Sequence, residues 1–573
     1  MYNSADIGSD HSLLMSKFNL PTTRRKQIRK QVTRYDVDKF KDDNYTYIFK
    51  QNIGGRLETL LHMDPNTDVE ELYNSFKNMT NDVTKETVGL RKRKSVEGLS
   101  MEEAELCLQR RKARSSMLNN PSTQNCETYR NLNKQVKAAV RKVKAQQLQD
   151  KVITLEEQFR KNDSYSLFKT VKELEGKPKK SMSVIKDDEN VKHFQTDEIV
   201  ELWKDHFKTH LNTSFPRDEN VLITLENLQI EPDTNNSDIT EEEIQNAIKK
   251  MKNKKAPGFD SITIEAIKAG GVKMVDALHK IFNTIWKIEK TPMDFSRMVV
   301  TPIHKKGDVL IRKNYRAIAL LSIPGKIFLR VLMERMKEKV TSKLSESQYG
   351  FRPGRGTVDA IFILRQIIEK AKEKNIPIHF HFIDFKAAFD TIWRNALWKM
   401  LEGIGVNPKI INIIKYIYEN TQCAVMIDGN LTDWFSVLVG VRQGCILSPM
   451  LFNIFLEFVM DELKSLNEFR LKNDMAADIR YADDTTLVSA IFSKLKLSTQ
   501  ELEIACMKWG LKINADKCKI ISPETEDIEI NGEPVENLDS FVFLGSSITN
   551  TTDDVKRRIA LACSAFGRLK TNL

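Results

Sequence analysis

The stretch RYADDTTLVS, Arg480 to Ser489, sets two adjacent carboxylates, Asp483 and Asp484, inside an otherwise strand-forming run. Aspartate has poor β-propensity and neighbouring like charges repel, so the pair calls for a reason. A solvated hairpin turn is one, because Asp is a natural turn residue. Holding a doubly positive ion is the other. An aromatic–small–Asp–Asp match is too short to decide alone. The flanking residues predict strand, tight turn and strand, then a helix using Leu502, Cys506 and Trp509.

Outward from this hairpin, Ile378, Phe380 and Phe382 alternate in a predicted strand that delivers Asp384. If the two elements are neighbours in one sheet, three carboxylates converge. Magnesium prefers a few carboxylates plus water and phosphate oxygens. Three aspartates can therefore hold two Mg²⁺ ions roughly 3.5–4 Å apart and clamp both oxygens of a phosphoryl displacement. The same region reads as mixed α and β. Thr240–Glu243 is a capping box, and residues 421–440 form a hairpin turning near Asp428-Gly429-Asn430. A helix starts near Ser448-Pro449, and Asn531-Gly532 signals a type I′ turn.

The whole chain sets the bounds. Its 573 residues, 41% hydrophobic, can bury a substantial core. Lys and Arg total 89 against 78 acidic residues, an excess of +11 that suits a polyanionic partner. Seven scattered cysteines without a C-x-x-C pair argue against a disulfide framework or zinc knuckle and for a reducing, intracellular compartment. No run approaches the ~18 apolar residues of a membrane span, so no membrane partner is expected. Residues 22–34 are strongly basic, and the sequence to about 180 is charged and helical in pattern. Leu132, Val136, Val140 and Val143 form an apolar stripe beside Lys134, Lys137, Arg141, Lys142 and Lys144. That basic side reads first as a solvated face and second as a phosphate-tracking arm.

The motifs HFIDFKAAFD (381–390), GVRQGCILSPMLFNIFL (440–456) and RYADDTTLVS occur in that order. Together they resemble the palm of reverse transcriptases. Upstream, NKKAPGFDSITIEAIKAGG (253–271), PIHKKGDVLIRKNYRAIALLS (302–322) and QYGFRPGRGTVDAIF (348–362) resemble the fingers of non-long-terminal-repeat (LINE-type) retrotransposon enzymes. Downstream, GLKINADKCKII (510–521) and FVFLGSSIT (541–549) continue the resemblance towards the thumb, covering roughly residues 235–573.

The resemblance implies an α+β right-hand polymerase fold and a metal-binding, catalytic triad of Asp384, Asp483 and Asp484, served by Mg²⁺ with Mn²⁺ able to substitute. Phe389 matches the steric gate that excludes a ribonucleotide 2′-OH; a core aromatic is the plain alternative. Gln443 and Gly444 match the turn that helps hold the incoming nucleotide. Lys305 and Arg316 match the basic residues that grip the triphosphate, with Lys306 able to replace Lys305. Arg352 and Arg355 match template or backbone contacts, with ordinary surface arginines an almost equal reading. Phe543, Leu544 and Gly545 match the primer grip, Phe543 standing where Tyr is usual. Partners would be an RNA template, a DNA primer or target, and deoxynucleoside triphosphates, bound with steep salt dependence.

Ser9-Asp10-His11 resembles the last strand of the apurinic-type endonuclease that precedes such polymerases, with Asp10 and His11 its catalytic residues. The rest of that site would lie before Met1, so no endonuclease activity is expected. The chain reads as truncated at both ends: an endonuclease remnant (1–20), a basic helical linker (21–180), a connector (181–234), fingers and palm (235–540), then primer grip and the start of a thumb (541–573). The expected activity is RNA-directed DNA polymerisation; a non-catalytic nucleic-acid-binding relic is the competing reading. An intron maturase, a telomerase-like enzyme and an RNA-templated RNA polymerase fit less well. Nuclear localisation is expected from the need to reach chromosomal DNA, with RKRK (91–94) a weak signal.

Overall fold

The computed structural model describes residues 34–64, 66–91, 101–174, 184–228, 230–463, 478–524 and 526–570. Asp10, His11, the basic run before Arg34 and most of RKRK lie outside the described residues. Two compact units are present. Among the described residues, no helix is long and apolar enough to cross a membrane.

One unit contains the helices Met101–Asn119, Thr123–Arg160 and Ser164–Leu174. Ser122 caps the long middle helix by accepting from the Asn125 N–H at 3.2 Å. Val136 is buried and Leu132, Val140 and Val143 are half-buried, while the five basic residues beside them are exposed. This is the amphipathic arrangement the spacing predicts.

The other unit contains residues 34–91 and most of the chain after 184. Residues 34–91, read from sequence as part of a linker, pack into its core. The helices Asp43–Leu61 and Val69–Thr87 bury Phe49, Ile53, Leu57 and Leu60, then Leu72, Tyr73, Phe76 and Val83. These join the core of the helix Gly271–Ile288. The Tyr73 hydroxyl donates to Asp260 Oδ2 at 2.7 Å. Burial raises the Asp260 carboxyl to about 6, so this hydrogen bond sits in a dry interior. Asp260 belongs to the APGFD motif, whose Gly258 is forced by space: a Cβ there would lie 2.4 Å from the Ser322 backbone nitrogen.

Two sheets follow. In the first, Arg297–His304 pairs antiparallel with Tyr315–Leu321 and parallel with Gln422–Ile427. Asp428 and Gly429, at φ +47° and +88°, turn the chain after Gln422–Ile427, and Asn430–Leu431 pairs back. The second sheet has four antiparallel strands in the order Lys519–Ile521, His379–Ile383, Asp484–Ser489, Asp478–Tyr481. Phe380, Phe382, Ile479 and Val488 face one cluster, with Leu364 and Phe543. Ile383 and Leu487 face the main core. The period-2 alternation of these strands thus buries both faces of the sheet.

Candidate active site

Asp384 directly follows the strand His379–Ile383. Ile383 pairs with Thr485, so the next step of the register sets Asp384 opposite Asp484. Ala482 and Asp483 make the two-residue turn between the paired Tyr481 and Asp484. The two elements do share a sheet, and the three aspartates stand at one end of it.

The turn is held under constraint. Ala482 has φ +60°, a left-handed conformation that costs a residue with a Cβ about 1–2 kcal/mol. Its N–H donates to Gln348 Oε1 at 3.0 Å, and the same oxygen accepts from the Gly350 N–H at 2.8 Å. A Cβ on Gly350 would lie 2.2 Å from the Ala482 nitrogen. QYGF therefore braces the aspartate hairpin from behind, and only glycine permits that approach.

Burial is the largest cause of the raised pKa at Asp483. Its own backbone N–H opposes, Asp384 adds repulsion, and Arg316 and Lys517 oppose. Asp484, though partly open to solvent, is pushed up to about 6 by burial, then by Asp483 and Asp384. Asp384 Oδ2 accepts from Lys517 Nζ at 2.8 Å and Asn514 Nδ2 at 3.1 Å. Among the described residues no group of three or more His, Cys, Asp or Glu side chains is placed to hold a metal ion by itself. Hard carboxylate oxygens in mutual repulsion are nevertheless the donor set a hard divalent cation takes when phosphate and water supply its other ligands.

A cleft of about 680 Å³ opens beside the aspartates, and Asp384, Asp483, Lys305, Arg316, Phe389 and Gln443 all line it. Burial lowers the pKa of Lys305, and Arg316 and Lys517 lower it further. That mutual repulsion marks a concentration of positive potential suited to a polyphosphate. Lys306 is exposed and does not line the cleft. Phe389 stacks on Phe452 with ring centroids 4.5 Å apart.

Other predicted residues serve the framework. Gly444, at φ +108°, is required because a Cβ would lie 2.7 Å from the Ala319 carbonyl oxygen; the close approach is to the strand Tyr315–Leu321. Arg352 donates to the Ser345 carbonyl at 2.7 Å, and Arg355 to the Glu346 carbonyl at 2.6 Å. Both also pair with the Glu346 carboxylate, so these donors are engaged within their own loop. Phe543 is buried against Phe382, centroids 5.5 Å apart. Its hairpin instead presents the turn Leu544–Gly545, at φ +48° and +81°.

A profile of the family "Reverse transcriptase (RNA-dependent DNA polymerase)" matches residues 303–548. The chain carries a reverse transcriptase domain. It is 26% identical over 471 residues to the "Probable RNA-directed DNA polymerase from transposon BS" of Drosophila melanogaster, covering 78% of this chain and 51% of that protein. It is 27% identical to the "RNA-directed DNA polymerase from mobile element jockey" of Drosophila funebris, covering 54% and 35%. The chain spans about half or less of the length of these relatives. A telomerase structure from Candida tropicalis aligns at 17% identity and TM-score 0.35, covering 44% of this chain and 54% of that one.

The reverse transcriptase domain contains three site residues that motif reading passed over. Lys517 lies in the quoted GLKINADKCKII stretch, and only the structure reveals its ion pair with Asp384. Asp390 ends the HFIDFKAAFD motif and accepts from Gln443 Nε2 at 2.7 Å. Arg394 donates to the carbonyls of Tyr418, Val437, Val439 and Gly440, clamping the turn that carries Gln443.

Proposed function

We propose that this chain is an RNA-directed DNA polymerase of a non-long-terminal-repeat retrotransposon. It would join a deoxynucleoside triphosphate to a primer 3′-OH opposite an RNA template and release pyrophosphate. The observation that best supports the reading is the meeting of Asp384, Asp483 and Asp484 beside a cleft that also carries Lys305 and Arg316. The three carboxylates would hold two Mg²⁺ ions, whose charge would offset that of the reacting phosphates. Lys305 and Arg316 would grip the triphosphate by charge-assisted hydrogen bonds, and Lys517 adds a third cation in the same cleft. Preorganised cations of this kind stabilise charge that develops on a leaving group. Base pairing would select the nucleotide, leaving the protein to read duplex shape and backbone. A polymerase copying RNA at a chromosomal target would work in the nucleus.

Primer extension on a poly(rA)–oligo(dT) duplex tests the proposal. Extension by dTTP that requires Mg²⁺ is the expected result. Salt-sensitive duplex binding without extension would instead favour a non-catalytic nucleic-acid-binding relic.

The gate role of Phe389 has its own test. Removing most of the ring in Phe389→Val opens space beside the sugar. A single steric contact of this kind carries discrimination of about 10–200-fold. The ratio of kcat/KM for dTTP over UTP is expected to fall within that range. An unchanged ratio would return Phe389 to the role of a core aromatic stacked on Phe452.

A further inference from the structure

The wall of the cleft includes an element outside the matched domain. His206 and His210, on the helix Thr196–His210, line it together with Asp384 and Gln443. The helix is fastened on two sides. Arg312 donates to the Leu202 carbonyl at 2.9 Å, and the Trp203 ring meets Tyr315 edge-on at 4.9 Å. Just beyond it, Asn212 donates to the Ser436 carbonyl at 3.0 Å and accepts from the Leu438 N–H at 2.8 Å.

His210 Nε2 lies 3.4 Å from Asp390 Oδ2, the same oxygen that accepts from Gln443 Nε2 at 2.7 Å. The Asp390 side chain is only 4% exposed, so few waters compete for that oxygen. A glutamine amide turns broadly about its last torsion unless a partner holds it. With one N–H committed to Asp390, the plane of the Gln443 amide is set and its oxygen remains an acceptor.

We propose that His210 is a positioning residue of the nucleotide site. Acting through Asp390, it would hold the Gln443 amide so that its oxygen accepts from a hydroxyl or N–H of the incoming nucleotide. The inference deepens the polymerase reading and rests on it. It also makes a segment before residue 303 part of the working site. The competing role for His210 is a last-turn side chain that only steadies the end of its helix, which would leave nucleotide affinity alone.

The test uses the full chain on a template–primer duplex whose primer ends in a dideoxynucleotide, so that dTTP binds without bond formation. His210→Ala is expected to weaken dTTP binding about 3–10-fold, the scale of one ordinary hydrogen bond. Duplex affinity should be retained. His210→Gln, which keeps a donor, should recover much of the loss. In a Gln443→Ala background, His210→Ala should add little, because both changes act through one chain of contacts. Unchanged dTTP affinity in His210→Ala, an effect fully additive with Gln443→Ala, or an equal loss of duplex affinity would each overturn the inference. A parent chain that binds no dTTP would overturn it as well. A parent that binds dTTP but fails to extend a normal primer would defeat the polymerase reading while still measuring the coupling.

Discussion

Asp483→Asn is expected to reduce primer extension by on the order of 10²–10³-fold or more, the scale of losing one preorganised electrostatic group at a reacting centre. The fold should survive the change. Asn has nearly the shape of Asp, and its side-chain oxygen can still accept the backbone N–H that Asp483 accepts from itself. The substitution also removes one of three mutually repelling charges. Asp483 carries a raised pKa because burial and Asp384 disfavour its ionised form. Without added cation, the variant should therefore melt no lower than the parent. With Mg²⁺ the order should reverse, because the parent gains binding free energy that the variant has partly lost. Lost extension with an unaltered melting temperature and a smaller Mg²⁺-induced shift is the expected set of readings. A variant that extends primers as the parent does would remove Asp483 from the chemistry. A variant that simply unfolds would make the pair structural.

The strands that carry this site were legible because alternation in Ile378, Phe380 and Phe382 and the turn chemistry of RYADD are local signals. Register and neighbourhood are not local. Lys517 reaches Asp384 because Lys519–Ile521 is the edge strand beside His379–Ile383, a pairing no spacing encodes. Residues 34–91 read as linker for a different physical reason. Phe49, Ile53, Leu57 and Leu60 recur at helical spacing among many charges, and such a face looks alike whether its partner is another short helix or a distant core. The partner, Gly271–Ile288, lies some two hundred residues away. Phe543 shows a third limit. Its motif located the hairpin, but a two-residue strand carries too little alternation to reveal that the ring points into the sheet's core. His210 had no signal at all: one histidine at the end of an ordinary amphipathic helix.

The opening stretch has a second charged secret in its first residue, and it leads to the largest expected stability effect. Arg480 is fully buried. Its two terminal nitrogens reach the Glu457 carboxylate at 3.0 and 3.3 Å, and its Nε lies 2.7 Å from Asp478 Oδ2, though poorly aligned for a hydrogen bond. Burial pulls the guanidinium pKa down, but Asp478 and then Glu457 outweigh it, leaving the pKa raised. Glu457 sits on the helix Ser448–Asp461, so the cluster joins that helix to the outer strand of the aspartate hairpin. Arg480→Met keeps the length and removes the charge, leaving Asp478 and Glu457 buried without their cation. Breaking a buried pair in this way costs about 3–5 kcal/mol, to be read as a lower urea midpoint. Adding Glu457→Gln to Arg480→Met should recover part of the loss by removing one stranded charge. A variant as stable as the parent, or a deficit indifferent to Glu457→Gln, would mean that packing alone holds the hairpin.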